Sequence, residues 1–168
     1  MASVTLLIVF PFLMAYAAAR DLLTMTIPNA VSLLLLLGFA IFAGATGIWG
    51  WDLVGHLGAG AATLVVTFGL FAFRIIGGGD AKLAAATAVW IGFDRLGEYL
   101  VVASLAGGAL TLVILVARAH PLPRCLGRLP FALHLHDAKT GVPYGIALSL
   151  GALIVIPETM IWARMMAS

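Results

Sequence analysis

The chain has 168 residues, 63% of them hydrophobic and 10% charged, with a net charge of +2 and a mean hydropathy of +1.15. Soluble domains are about half apolar and a quarter charged, so a water-soluble globule is excluded, and a single domain of helices packed in the lipid bilayer is predicted over residues 1–168. The nine Lys and Arg are scattered at the ends of apolar runs and form no basic patch, which argues against nucleic acid as a partner.

A crossing helix needs about 20 apolar residues, and six such spans are predicted, at about residues 2–19, 30–48, 53–73, 75–93, 99–117 and 142–162. The first ends in Ala15-Tyr16-Ala17-Ala18-Ala19, which mimics a signal-peptide cleavage site. No positive charge precedes it in Met1-Ala2-Ser3-Val4, so it reads as a retained span. Arg20-Asp21 closes it, and Ile27-Pro28-Asn29 leads into the second, with Pro28 suited to a first-turn position. Trp49 and Trp51 are expected interface anchors.

The fourth span is the least regular, because Gly77, Gly78, Gly79, Asp80 and Lys82 all fall in its first half. Three successive glycines weaken a helix by roughly 1 kcal/mol each relative to alanine. The backbone before Asp80 is therefore expected to be irregular and to line a cavity or other protein. The longest connection, about 118–141, carries Pro121, Pro123 and Pro130 and reads as a broken loop, its middle lying along the interface as a short amphipathic helix over 126–135. Cys125 is the only cysteine, so neither an intrachain disulfide nor a cysteine-based zinc site is expected.

Arg20, Arg74, Lys82, Arg118, Arg124, Arg128 and Lys139 fall on one side of these spans, and only Arg95 and Arg164 on the other. The basic side faces the cytoplasm. The expected fold is thus an all-α membrane protein, a six-transmembrane-helix bundle with both termini non-cytoplasmic and the 118–141 loop in the cytoplasm. Asp21 and Asp80 then both sit at the cytoplasmic membrane face.

Most of the five Asp and two Glu have ordinary explanations. Asp52, Asp94 and Glu98 fall in short outer connections, Asp137 in the long loop, and Glu158 near the outer end of the last span. Asp80 differs, because an ionisable group at membrane depth points to function, although close helix packing would also account for its glycines. Asp21 taken alone simply ends a helix. As a pair on one face, however, two close carboxylates cannot both ionise cheaply and would share one proton. Such a pair offers an acid and a base for hydrolysis by water, with no metal or cofactor required, Asp80 being the neutral member if it is the more buried. A small proton- or cation-coupled transporter would use the same aspartates, and these residues alone leave that choice open. Lys82, two residues on, diverges from Asp80 on a helix and reads as snorkelling to the headgroups. His134 and His136 are too few for a metal set.

Three segments in order carry a more specific signal: Asp21 with Ile27-Pro28-Asn29, Gly77-Gly78-Gly79-Asp80 with Ala81-Lys82-Leu83, and Val142-Pro143-Tyr144-Gly145-Ile146-Ala147. Over nearly its whole length the chain resembles the type IV prepilin peptidases, of the GxGD class of membrane aspartyl proteases. The resemblance implies that Asp21 and Asp80 are the catalytic pair, with Gly77, Gly78, Gly79, Lys82, Pro28, Asn29, Pro143 and Tyr144 binding substrate or shaping the site. It also implies the partner, a prepilin or pseudopilin whose basic leader stays cytoplasmic while its apolar segment inserts, and hence a place in the bacterial inner membrane. The short chain looks most like the compact peptidases that serve tight-adherence (Flp-type) pili. Larger relatives that also methylate the new N-terminus carry an insertion with paired cysteines after helix one. Here about nine residues separate Asp21 from the second span and only Cys125 exists, so cleavage without methylation is expected.

Overall fold

A computed structural model describes residues 2–123 and 127–167; Arg124 and Cys125, named above, lie outside the described residues. Eight α-helices are found among the described residues: α1 (Ala2–Thr24), α2 (Asn29–Thr46), α3 (Trp51–Ala72), α4 (Gly78–Ile91), α5 (Phe93–Arg118), α6 (Pro130–His136), α7 (Tyr144–Val155) and α8 (Met160–Ala167). Their outward faces carry Leu33, Val65, Phe68, Leu105, Leu112 and Val116, all exposed, a surface suited to lipid and not to water.

The sequence sets the helix boundaries through a few backbone switches. Met25 turns left-handed at φ 52° to end α1, and the extended Pro28 starts α2. Gly47, at φ 69°, closes α2 by donating its N–H to Ala43 O, the glycine stop that such a geometry favours. Gly92, at φ 73°, separates α4 from α5. A Cβ there would lie 2.9 Å from the His56 ring, and His56 Nδ1 is itself 2.9 Å from Val89 O, so the corner is both turned and filled.

Four helices among the described residues are long and apolar enough to cross a membrane: α1 over Leu7–Thr24, α2, α3 and α5. The fourth and sixth predicted spans take a different form. At 14 residues and 1.5 Å per residue, α4 is about 21 Å long, short of the ~30 Å hydrocarbon layer. Every residue from Leu83 to Ile91 is buried, because a helix apolar all round belongs in the interior. It packs against α2, α3, α5 and α7. The predicted sixth span breaks at Pro157, which cannot supply the N–H that continued helix needs. A 3-10 turn at Ile156–Glu158 follows α7, and Thr159 caps α8 by accepting the Trp162 N–H at 3.3 Å.

Trp90 of α4 anchors the core. It is 1% exposed, packs its ring against Phe10, Phe39 and Phe42 with centroids 5.2 to 5.9 Å away, and donates Nε1–H to Leu35 O at 2.9 Å. Small residues bring the other helices close: a Cβ on Gly60 of α3 would fall 2.3 Å from Val89 Cγ2, and one on Gly151 of α7 would fall 3.0 Å from the Ala103 backbone in α5.

The charges gather at the two ends of the bundle. At one end Arg95 pairs with Glu98 at 2.9 Å and Glu158 at 3.2 Å, while Arg164 pairs with Asp52 at 2.7 Å. Asp52, Glu98 and Glu158, read from sequence as merely solvated or snorkelling, are thus in exposed ion pairs, each worth about 1 kcal/mol or less. At the other end the connection after α5 folds back on the bundle. Arg118 Nε donates to Leu135 O at 2.7 Å, and its terminal nitrogen reaches Thr140 O at 3.1 Å and Gly141 O at 3.2 Å. A short helix, α6, opened by Pro130, lies within the stretch where an interfacial helix is expected.

Candidate active site

Asp21 lies in the last turn of α1 and is 6% exposed. Its partner comes from 124 residues away: the Gly145 N–H, in the first turn of α7, donates to Asp21 Oδ2 at 2.6 Å. Only a glycine allows this approach. A Cβ at 145 would stand 2.8 Å from Asp21 Oδ2 and 2.8 Å from Ile27 Cδ1, both inside van der Waals contact.

Ile27, buried between α1 and α2, links this carboxylate to the start of α4. A Cβ on Gly79 would sit 3.2 Å from Ile27 Cβ and 3.5 Å from its backbone N and O. Gly79 therefore lets the first turn of α4 press against the Ile27 main chain, and Asp80 follows directly. Asp80 is the third residue of α4 and accepts the Gly77 N–H at 3.3 Å, an acid in the first turn completing a cap and facing the positive end of the helix dipole. Before it, Arg74 turns left-handed at φ 59° and α4 begins only at Gly78.

Gly145, beside the Asp21 carboxylate, and Gly79, directly before Asp80, thus both press against Ile27. Asp21 is the more enclosed; Asp80 is half-buried and opens on a cavity of about 220 Å³ lined by Thr67, Leu70, Ser104, Tyr144 and Ala147 among others. α7 covers Asp21, whereas the gap among α3, α5 and α7 leaves Asp80 at the cavity.

The other residues singled out from sequence divide between two sides of α4. Tyr144 lines the Asp80 cavity, its hydroxyl 3.4 Å from Thr111 Oγ1, and Pro143 caps α7 directly before it. Gly78 is pressed against the Phe71 ring, where a Cβ would meet Cε2 at 3.2 Å. Pro28 caps α2. Asn29 and Lys82 face away from the Asp80 cavity: Lys82 Nζ donates to Asn29 Oδ1 at 2.9 Å, and both line a groove on the far side. His134 and His136 lie on α6. Three residues that sequence reasoning had not placed at the site are Gly145, Ile27 and Thr67. Gly145 had a signal, its position after Pro143-Tyr144, but a glycine opening an apolar run also reads as packing. Ile27 stood in the Ile27-Pro28-Asn29 segment with no role of its own, and Thr67 had no signal.

The family model of the type IV leader peptidase family matches residues 8–112, more than half of the chain and including both aspartates. No curated protein and no solved structure matches the chain.

Proposed function

The chain belongs to the type IV leader peptidase family, and from that premise we propose that Asp21 and Asp80 are the catalytic pair of a membrane aspartyl endopeptidase. The observation that carries the reading is that Ile27 is met both by Gly145, whose N–H binds the Asp21 carboxylate, and by Gly79, directly before Asp80, which lines a small cavity beside Tyr144. In this reading the pair holds one proton between them. The ionised carboxylate takes a proton from a water lying between the two as that water attacks the scissile carbonyl carbon, and the protonated carboxyl donates to the carbonyl oxygen. The tetrahedral diol then collapses: its nitrogen takes the proton from the newly protonated carboxyl, the C–N bond breaks, and a diol hydroxyl gives its proton to the other carboxylate, which restores the shared proton without a covalent enzyme intermediate.

The substrate is a type IV, Flp-type prepilin or pseudopilin, cut without N-methylation at the cytoplasmic face of the bacterial inner membrane. Supporting this are the seven basic residues on the dyad side of the spans, the position of both aspartates at helix ends, and the apolar cavity wall of Leu70, Ala147 and Leu148 beside Asp80, which suits the apolar side of a leader junction. The binding and site-shaping roles of Gly77, Gly78, Gly79, Lys82, Pro28, Asn29, Pro143 and Tyr144 belong to the same proposal.

Co-expression with a candidate prepilin tests it. Leader removal is expected for the wild type and abolished in Asp21→Asn and Asp80→Asn. Processing at the wild-type rate by either variant, once shown to be inserted, would sink the dyad and leave a proton- or cation-coupled transporter as the reading of the same aspartates.

A further inference from the structure

The consecutive helices α2 and α3 pack mainly on α4 and not on each other, and an apolar groove runs between them. Its first part, about 470 Å³, is walled by Leu33, Leu36, Ala61 and Leu64 and floored by Ala85 and Val89. A second part of about 330 Å³ shares Leu36 and Val89 and continues past Ala43 to Trp49. From Asn29 to Ala43 the groove follows α2 for about 21 Å, enough to take a chain through one ~15 Å leaflet of hydrocarbon.

Polar groups occur at one end of it. Lys82 and Asn29 are both exposed there, on the end of the bundle that carries the excess of basic residues. The Lys82 ammonium meets only the Asn29 carboxamide oxygen. None of the ion pairs among the described residues includes it, so a full positive charge with two further donors stands at the mouth of an apolar trough. Asp80 does not neutralise it, since residues two apart point to different sides of a helix and Asp80 opens on the cavity behind α4.

We propose that this groove is a seat for an anionic phospholipid of the inner leaflet, its phosphate on Lys82 and the Asn29 amide and one acyl chain lying along α2 between Leu33 and Leu36. A cation at an apolar groove matches the two chemistries of that molecule and of no zwitterionic lipid equally well. The other side of α4 carries the Asp80 cavity, so occupancy of the groove is measured apart from any bond cut there.

Native mass spectrometry of the detergent-purified protein, titrated with phosphatidylglycerol or with phosphatidylcholine of the same acyl chains, tests it. The wild type is expected to retain phosphatidylglycerol preferentially. Lys82→Gln should weaken that retention about five-fold, the effect of one basic residue at an anionic surface, and leave phosphatidylcholine unchanged. Ala61→Trp, which fills the groove from an exposed position and keeps the lysine, should weaken both lipids. Equal retention of the two lipids by the wild type, or an undiminished preference in Lys82→Gln, would overturn the proposal. So would displacement by millimolar inorganic phosphate, which marks a free-phosphate site, or by a synthetic apolar prepilin segment, which marks a substrate groove.

Discussion

Gly145 shows how much a single hydrogen atom in place of a methyl group decides. Gly145→Ala places a carbon 2.8 Å from both Asp21 Oδ2 and Ile27 Cδ1, so either α7 backs away or the carboxylate turns. Displacements near 1 Å cost of order 100-fold in rate. Leader removal by purified Gly145→Ala is expected to fall by about that factor, while Gly44→Ala, with nothing within 4 Å of its new Cβ, keeps the wild-type rate; equal activity in both would show that the Gly145 contact is not needed. A shared proton makes a second prediction at this scale. Since only the singly protonated pair is competent, the rate should fall on both the acid and the alkaline side of an optimum, with apparent constants belonging to the pair and not to either residue. A rate that stays level down to full protonation of carboxyls would contradict it. Asp80 was legible in the sequence because glycines and apolar residues surround it. Asp21 stood out only through its segment with Ile27-Pro28-Asn29 and its side of the spans, since its hydrogen-bond partner lies 124 positions away.

Among the elements, α4 and the connection after α5 do the positioning. The α4 core depends on Trp90, and Trp90→Ala is expected to cost about 3 to 5 kcal/mol, read as a lowered thermal midpoint in detergent. An unchanged midpoint would mean that the aromatic cluster relaxes around the loss. Arg118 grips Leu135, Thr140 and Gly141 with one planar guanidinium, and Pro143, Tyr144 and Gly145 follow within four residues. Its substitution should therefore loosen the strand that carries the Asp21 donor. Arg118→Lys retains the charge and loses the fork, so it and Arg118→Ala are both expected to lower kcat of order ten-fold with a smaller change in KM, and to speed proteolysis of the 118–141 connection. Normal kcat in Arg118→Lys would reduce the residue to a plain surface cation. The helices themselves were readable from apolar run length. The short α4 and the break at Pro157 were not, because run length cannot tell a buried helix from a crossing one, and Pro157 stood inside an otherwise continuous apolar stretch.

For the whole molecule, the two ends of the bundle carry different charge patterns: paired charges at one end, and the dyad, Lys82 and Arg118 at the other. From the count of basic residues the second end is expected to face the cytoplasm, and a cytoplasm-active reporter fused after Ser168 should then be silent. Strong activity would overturn the orientation with both termini outside. The amino-acid sequence by itself determined that this is a multi-pass helical membrane protein, since composition and apolar run length dictate the solvent in which the helices can stand. It also marked the family through three short segments. Only the tertiary structure decided that the Asp21 end of α1 and the start of α4 come together at Ile27, because this depends on Gly79 and Gly145 closing on Ile27 from two helices, and such close approach is a property of packed backbones that no local pattern records.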